Sequence, residues 1–130
     1  MGQTAGEILI VDDEVALLKL MSEYLLRLGY VVTAADTLPK AWEQVTPRPE
    51  RFAVVVVDAG MASAGINDLA LQLLACHERL RVVVNSGYPV DMGVLRKAAP
   101  DRVDFLHKPF SPDMLVATLR RMLGPQEENV

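Results

Sequence analysis

Cysteine is almost missing from this chain. Cys76 is the only one, so no internal disulfide can form and no cysteine-rich metal site can be built. A reducing compartment fits. Histidine is scarce too, with only His77 and His107, and two histidines without cysteines make a poor zinc set. No apolar run approaches roughly 18 residues, the length a membrane-spanning helix needs. The opening MGQTAGE is small and polar, without the apolar centre of a signal peptide. Basic residues number 13 against 17 acidic ones, for a net charge of −4. No Lys/Arg stripe stands out, which argues against direct nucleic-acid binding. No G-x-G-x-x-G follows the first apolar run and no G-x-x-x-x-G-K-[ST] occurs anywhere, so the dinucleotide and P-loop readings lose their support. What remains is a cytoplasmic domain without a membrane segment. The 130 residues, 51% of them apolar, suffice for one domain with a real core. They leave no room for an appended DNA-binding or enzymatic output domain, so the expectation is a domain that acts alone by docking to partners or a piece cut from a larger protein.

The apolar clusters alternate in kind. ILIV (8–11) is β-branched and too short for a helix. VALLKLMSEYLLRL (15–28) repeats with helical period, placing Val15, Leu18, Met21, Leu25 and Leu28 on one face, with Gly29 as a stop. YVVTAA (30–35) predicts a second strand. Asp36 or Thr37 caps a helix to about Val45, with Pro39 in its first turn. TPRPE (46–50) is a breaker-rich loop. FAVVVVD (52–58) is a third strand, Ile66 to about His77 a helix, and RVVVNS (81–86) a fourth strand. A weak helix follows around 90–98, ended by Pro100. VDFLH (103–107) is a fifth strand. Ser111, Pro112 and Asp113 start the last helix and Gly124-Pro125 ends it. QEENV (126–130) is expected to fray. Five strand-helix repeats call for an α/β fold, doubly wound, with a parallel sheet covered by helices on both faces. A run such as VVVV suits a strand buried on both sides.

Why, then, does that run end in a charge? In open α/β sheets the site lies outside the carboxyl ends of the strands. Asp58 stands there. So do Asp12 and Asp13 after the first strand, Ser86 after the fourth and Lys108 after the fifth. Clustered carboxylates want a cation, and hard oxygen ligands suit Mg²⁺ (or Mn²⁺), which often shares a phosphate. A carboxylate can also act as a nucleophile and form an aspartyl-phosphate. Mg²⁺, Lys108 and Ser86 would neutralise the phosphoryl oxygens.

With LIVDDE (9–14), VVVVD (54–58), VVVNSGYP (82–89) and FLHKPFSPDML (105–115) on alternate strands, the chain resembles the receiver domains of two-component response regulators. It is similar to single-domain chemotaxis regulators, and SGYP with HKPFSP also resembles receivers of hybrid sensor kinases. The resemblance covers about residues 7–123 of a single receiver domain spanning 1–130. It implies a flavodoxin-like (βα)5 fold with strand order 2-1-3-4-5, and a signalling module rather than a metabolic enzyme. Asp58 is then the phosphoacceptor, fed by a phosphohistidine on a sensor histidine kinase or histidine phosphotransfer protein. Asp13, Asp12, Asp58 and the backbone carbonyl of Gly60 would hold the metal. Ser86 and Lys108 would hold the phosphoryl group, with Pro109 in a cis peptide placing the lysine. Phe105 matches the switch aromatic, whose movement reshapes the surface of the fourth helix, fifth strand and fifth helix, where a downstream protein docks. The state expected is a monomer or a weak phosphorylation-dependent dimer.

The sequence departs from the family pattern after the acceptor. Ala62 replaces the usual proline after Met61, and Gly65 comes one position early, with Ile66 in its place. Phe105 replaces the commoner tyrosine. Gly60 and Tyr88, two past the acceptor and two past the hydroxyl residue, flank the path of the attacking water and are expected to tune hydrolysis. The alternative reading is a pseudo-receiver, an interaction module that is never phosphorylated. A haloacid-dehalogenase-like phosphatase would need a second acid where Gly60 stands.

Taken singly, these residues have plainer readings. Acids at 12–14 suit any helix start, and Glu14 is read as a helix-start residue touching the metal's waters. Lys108-Pro109 and Ser86-Gly87 are ordinary turn chemistry. Cys76 and Trp42 read as packing residues. The shared rim decides against the plain readings of the acids, Ser86 and Lys108.

Overall fold

A computed structural model describes residues 6–124; the expected frayed tail and Pro125 lie outside the described residues. The chain alternates strand and helix: β1 (Glu7–Val11), α1 (Val15–Arg27), β2 (Val32–Ala35), α2 (Leu38–Val45), β3 (Phe52–Asp58), α3 (Ile66–Cys76), β4 (Arg81–Ser86), α4 (Gly93–Ala98), β5 (Val103–His107) and α5 (Pro112–Leu123). The five strands form one parallel sheet in the order β2-β1-β3-β4-β5. This is the doubly wound, flavodoxin-like arrangement expected from the sequence.

The valine run resolves into two faces. Val54 and Val56 pack with Ile8, Ile10, Leu25, Leu115 and Leu119 under α1 and α5. Val55 and Val57 pack with Leu9, Val11, Leu73, Val82 and Leu95 under α2, α3 and α4. Successive side chains of a strand point to opposite faces, so one uninterrupted run serves two cores. All four valines are 0–1% exposed.

The helices differ from expectation mainly at their ends. Leu18, Met21 and Leu25 of α1 are buried, but Val15 and Leu28, expected on the same face, are 63% and 40% exposed. Val15 is the first residue of the helix and Leu28 the one after its last, so both sit at helix ends. The second strand starts at Val32 rather than Tyr30, and α3 ends at Cys76. The segment 46–50 is not wholly irregular, since Pro49–Arg51 forms a 3-10 turn. The weak helix is shorter than read, with six residues in α4. Thr37 caps α2 by accepting from the Lys40 amide, and Ser111 caps α5 by accepting from the Met114 amide. Trp42 and Cys76 pack partly buried against the α2–α4 core; Cys76 is half-buried rather than enclosed.

Candidate functional site

The site is built by strand parity. Asp12 continues the face of Ile8 and Ile10, Asp58 that of Val54 and Val56, and Lys108 that of Leu106. All three therefore leave the sheet on the α1–α5 side at its carboxyl edge. One ligand oxygen from each of Asp12, Asp13 and Asp58 can be chosen so that all three lie within 4.8 Å of one another. The Lys108 ammonium reaches across from β5 to lie 3.0 Å from Asp12 Oδ2, 2.9 Å from Glu14 Oε1 and 3.6 Å from Asp58 Oδ2. The Lys108–Pro109 peptide is cis.

The electrostatics follow from burial and pairing. Burial pushes the Asp12 carboxyl above its ordinary value, against the Glu14 amide and Lys108, which pull it down; the charge of Asp58 adds to the rise. Burial opposes the charge on Lys108. Hydrogen bonds to Glu14 and Asp12 and the charges of Asp12 and Asp58 outweigh it, and the ammonium is held above its ordinary value. Three carboxylates, those of Asp12, Glu14 and Asp58, thus gather around one lysine, and Asp13 stands beside two of them. That leaves excess negative charge at an all-oxygen cluster, a donor set that fits a hard divalent cation such as Mg²⁺.

The loop after Asp58 is compact. Asp58 Oδ1 accepts from the Gly60 amide at 3.2 Å, and Ala59–Met61 forms a 3-10 turn. Gly65 has φ +106°, a conformation that favours glycine, and directly precedes α3. The early glycine therefore enters the helix in the left-handed region, one residue sooner than the family pattern. A Cβ on Gly60 would lie 3.7 Å from both Asp58 oxygens, so a side chain there would stand beside the acceptor.

Ser86 and Phe105 belong to the other face of the sheet. Ser86 continues Val82 and Val84, and Phe105 follows Val103 and packs partly buried against the α2–α4 core. Ser86 is buried, and its Oγ accepts from the Tyr88 amide at 2.9 Å. The Tyr88 ring is 78% exposed. Tyr88, Glu14, Leu17, Gly87, Lys108, Pro109 and Phe110 line one open cleft beside the acids.

Sequence reasoning reads Glu14 as a helix-start residue near the metal's waters, but misses its ion pair with Lys108 and passes over Asn85. Glu14 starts α1 without a side-chain cap, and its carboxylate instead holds Lys108. Asn85 breaks the apolar run Val82–Val84 one residue before Ser86, a signal visible in VVVNS.

The model of the response regulator receiver domain matches residues 8–120. The transcriptional regulator NtrC of Bradyrhizobium is 27% identical over 97% of this chain, and the sensor kinase CckA of Brucella abortus is 29% identical over 95%. This chain spans 26% and 13% of those two proteins. The CheY-like receiver domain protein from Methanospirillum hungatei superposes with a TM-score of 0.77 at 22% identity, covering 92% of this chain and 94% of that one. Fold, acidic cluster and family match agree, and this chain belongs to the response regulator receiver family.

Proposed function

We propose that the chain is one phospho-accepting receiver domain of a two-component phosphorelay, with Asp58 as the acceptor. The observation that carries this reading is the reach of Lys108. An ammonium from β5 lies within 3.6 Å of carboxylates delivered by β1 and β3, poised to neutralise charge that develops between them. An Asp58 carboxylate oxygen attacks phosphorus of a phosphohistidine. The O–P bond forms as the N–P bond breaks, and the bonding pair stays on the imidazole nitrogen. Lys108 and the Ser86 hydroxyl hold phosphoryl oxygens. Asp12, Asp13, Asp58 and the Gly60 carbonyl would hold Mg²⁺, which when bound neutralises the phosphoryl oxygens and the acids. Hydrolysis reverses the modification: water attacks phosphorus, the O–P bond breaks and the carboxylate returns.

The chemistry is intrinsic to the domain, but its use is signalling. The donor is a sensor histidine kinase or a histidine phosphotransfer protein, and the downstream protein reads the α4-β5-α5 surface. No helix among the described residues is long and apolar enough to cross a membrane, and we place the domain in the cytoplasm.

The test is intact mass after incubation with Mg²⁺ and acetyl phosphate, beside Asp58→Asn. The wild type alone should gain one phosphoryl group. No gain, with Mg²⁺ binding also absent, would leave an unphosphorylated interaction module.

A further inference from the structure

Asn85 is fully buried, and neither its Oδ1 nor its Nδ2 has a hydrogen-bond partner. Buried polar groups are nearly always paired, and an orphan calls for an explanation. A valine would continue the run Val82–Val84 without that cost.

The position of Asn85 supplies the explanation. In the sheet register it stands directly opposite Asp58 on β3 and Leu106 on β5. It shares the face of Val83, which packs in the α1–α5 core, and so points to the same side as Asp58 and Lys108. Strand β4 lies between β3 and β5. Lys108 leaves the end of β5 and brings its ammonium to the acids of β1 and β3. Its stem must therefore cross the end of β4, on the face where Asn85 sits. The carboxamide carries one acceptor and one donor group. In register beside it stands an acceptor, Asp58, and two residues past its other partner, Leu106, comes a donor, Lys108.

Building on the receiver reading above, we propose that Asn85 is a positioning residue for phosphoryl transfer. In the arrangement described here Lys108 is spent on Glu14 and Asp12. When the site is loaded and Lys108 turns to the phosphoryl group, Asn85 Oδ1 accepts from its ammonium. Asn85 Nδ2 then donates to the Asp58 side chain. The carboxamide, unpaired at rest, is satisfied in the loaded site and so favours that state.

The test compares wild type with Asn85→Val and Asn85→Thr, two variants of nearly the same shape that differ in one hydroxyl. Thermal melting comes first: Asn85→Val removes two buried orphans and should melt at or above the wild-type temperature. Its phosphorylation by acetyl phosphate, followed by intact mass at saturating Mg²⁺, should nevertheless slow about tenfold, the scale of a lost charge-assisted hydrogen bond. Asn85→Thr should recover most of that rate. Equal rates in all three proteins, or equal losses in both variants, overturn the proposal while leaving Asp58 as the acceptor. A second readout needs no variant. In ¹⁵N-labelled wild type, the Asn85 side-chain amide should shift on adding Mg²⁺ with beryllofluoride, a phosphoryl stand-in, and not with Mg²⁺ alone. An amide unmoved by beryllofluoride, while backbone signals at Asp58 and Ser86 respond, also overturns it. If the wild type itself gains no phosphoryl group and binds no beryllofluoride, the receiver reading fails first, and this inference with it.

Discussion

Tyr88 is anchored by its backbone and exposed in its ring. Its amide is tied to Ser86 Oγ, while its ring is 78% exposed at the mouth of the cleft shared with Lys108. We propose that a ring there borders the path of an incoming water rather than the acceptor. Tyr88→Ala is therefore expected to change the lifetime of the phosphorylated protein severalfold and its rate of formation little. Intact-mass time courses of phosphorylation and of decay after donor removal separate the two. Equal changes in both rates would falsify this role. Gly60 lies beside the Asp58 carboxylate itself. The Cβ position at 3.7 Å from both Asp58 oxygens is ordinary van der Waals contact, so the glycine is not forced by sterics and leaves open space by choice of residue.

At the scale of elements, α3 has an end that its own sequence does not close. His77 follows the helix in extended conformation, leaving the last carbonyls without helical partners. Arg102, brought in just before β5, donates to the carbonyls of Leu74 at 2.8 Å, His77 at 2.6 Å and Leu80 at 2.9 Å. One guanidinium thus clamps the end of α3 to the start of β4, with its five donors in a fixed fork. Arg102→Met keeps the stem and removes the donors. It should cost about 2 kcal/mol in urea unfolding without changing the acceptor chemistry, which lies at the other edge of the sheet. A loss below roughly 0.5 kcal/mol, the size of an ordinary surface change, would mean that water caps these carbonyls equally well. Nothing in the local sequence announces this clamp. Its partners are 25 residues or so away, and no period or spacing links them.

For the molecule as a whole, the sheet divides the site between two faces. The acids and Lys108 open on the α1–α5 side, while Ser86 and Phe105 belong to the α2–α4 side. A phosphoryl group held by both Lys108 and Ser86 would pull on both layers at once. Phe105 lies opposite Val84 in the ladder, two residues before Ser86, and is only partly buried, so it has somewhere to go. Mg²⁺ with beryllofluoride should move amide resonances across α4, β5 and α5. Phe105→Ala should confine those shifts to the rim residues near Asp58. Shifts that still spread over α4 and α5 in Phe105→Ala would remove the aromatic from the switch.

Much of this was legible because local chemistry and tertiary placement agree. Alternating β-branched runs and amphipathic stretches specify five strand-helix repeats, parallel strands need helical crossovers, and the caps Thr37 and Ser111 act within one turn of chain. Parity along each strand then carries Asp12, Asp58 and Lys108 to one rim, so the candidate site could be assembled from residue order. Tertiary structure decided the rest. Whether Val15 and Leu28 are buried depends on what packs against the two ends of α1, not on their place in its period. Whether Glu14 faces solvent or Lys108 depends on where β5 ends in space. Asn85 and Arg102 have meaning only through strands and helices distant in sequence. Period and capping act over a few residues and can be read along the chain; partners across the sheet are fixed by packing, and only the folded molecule brings them together.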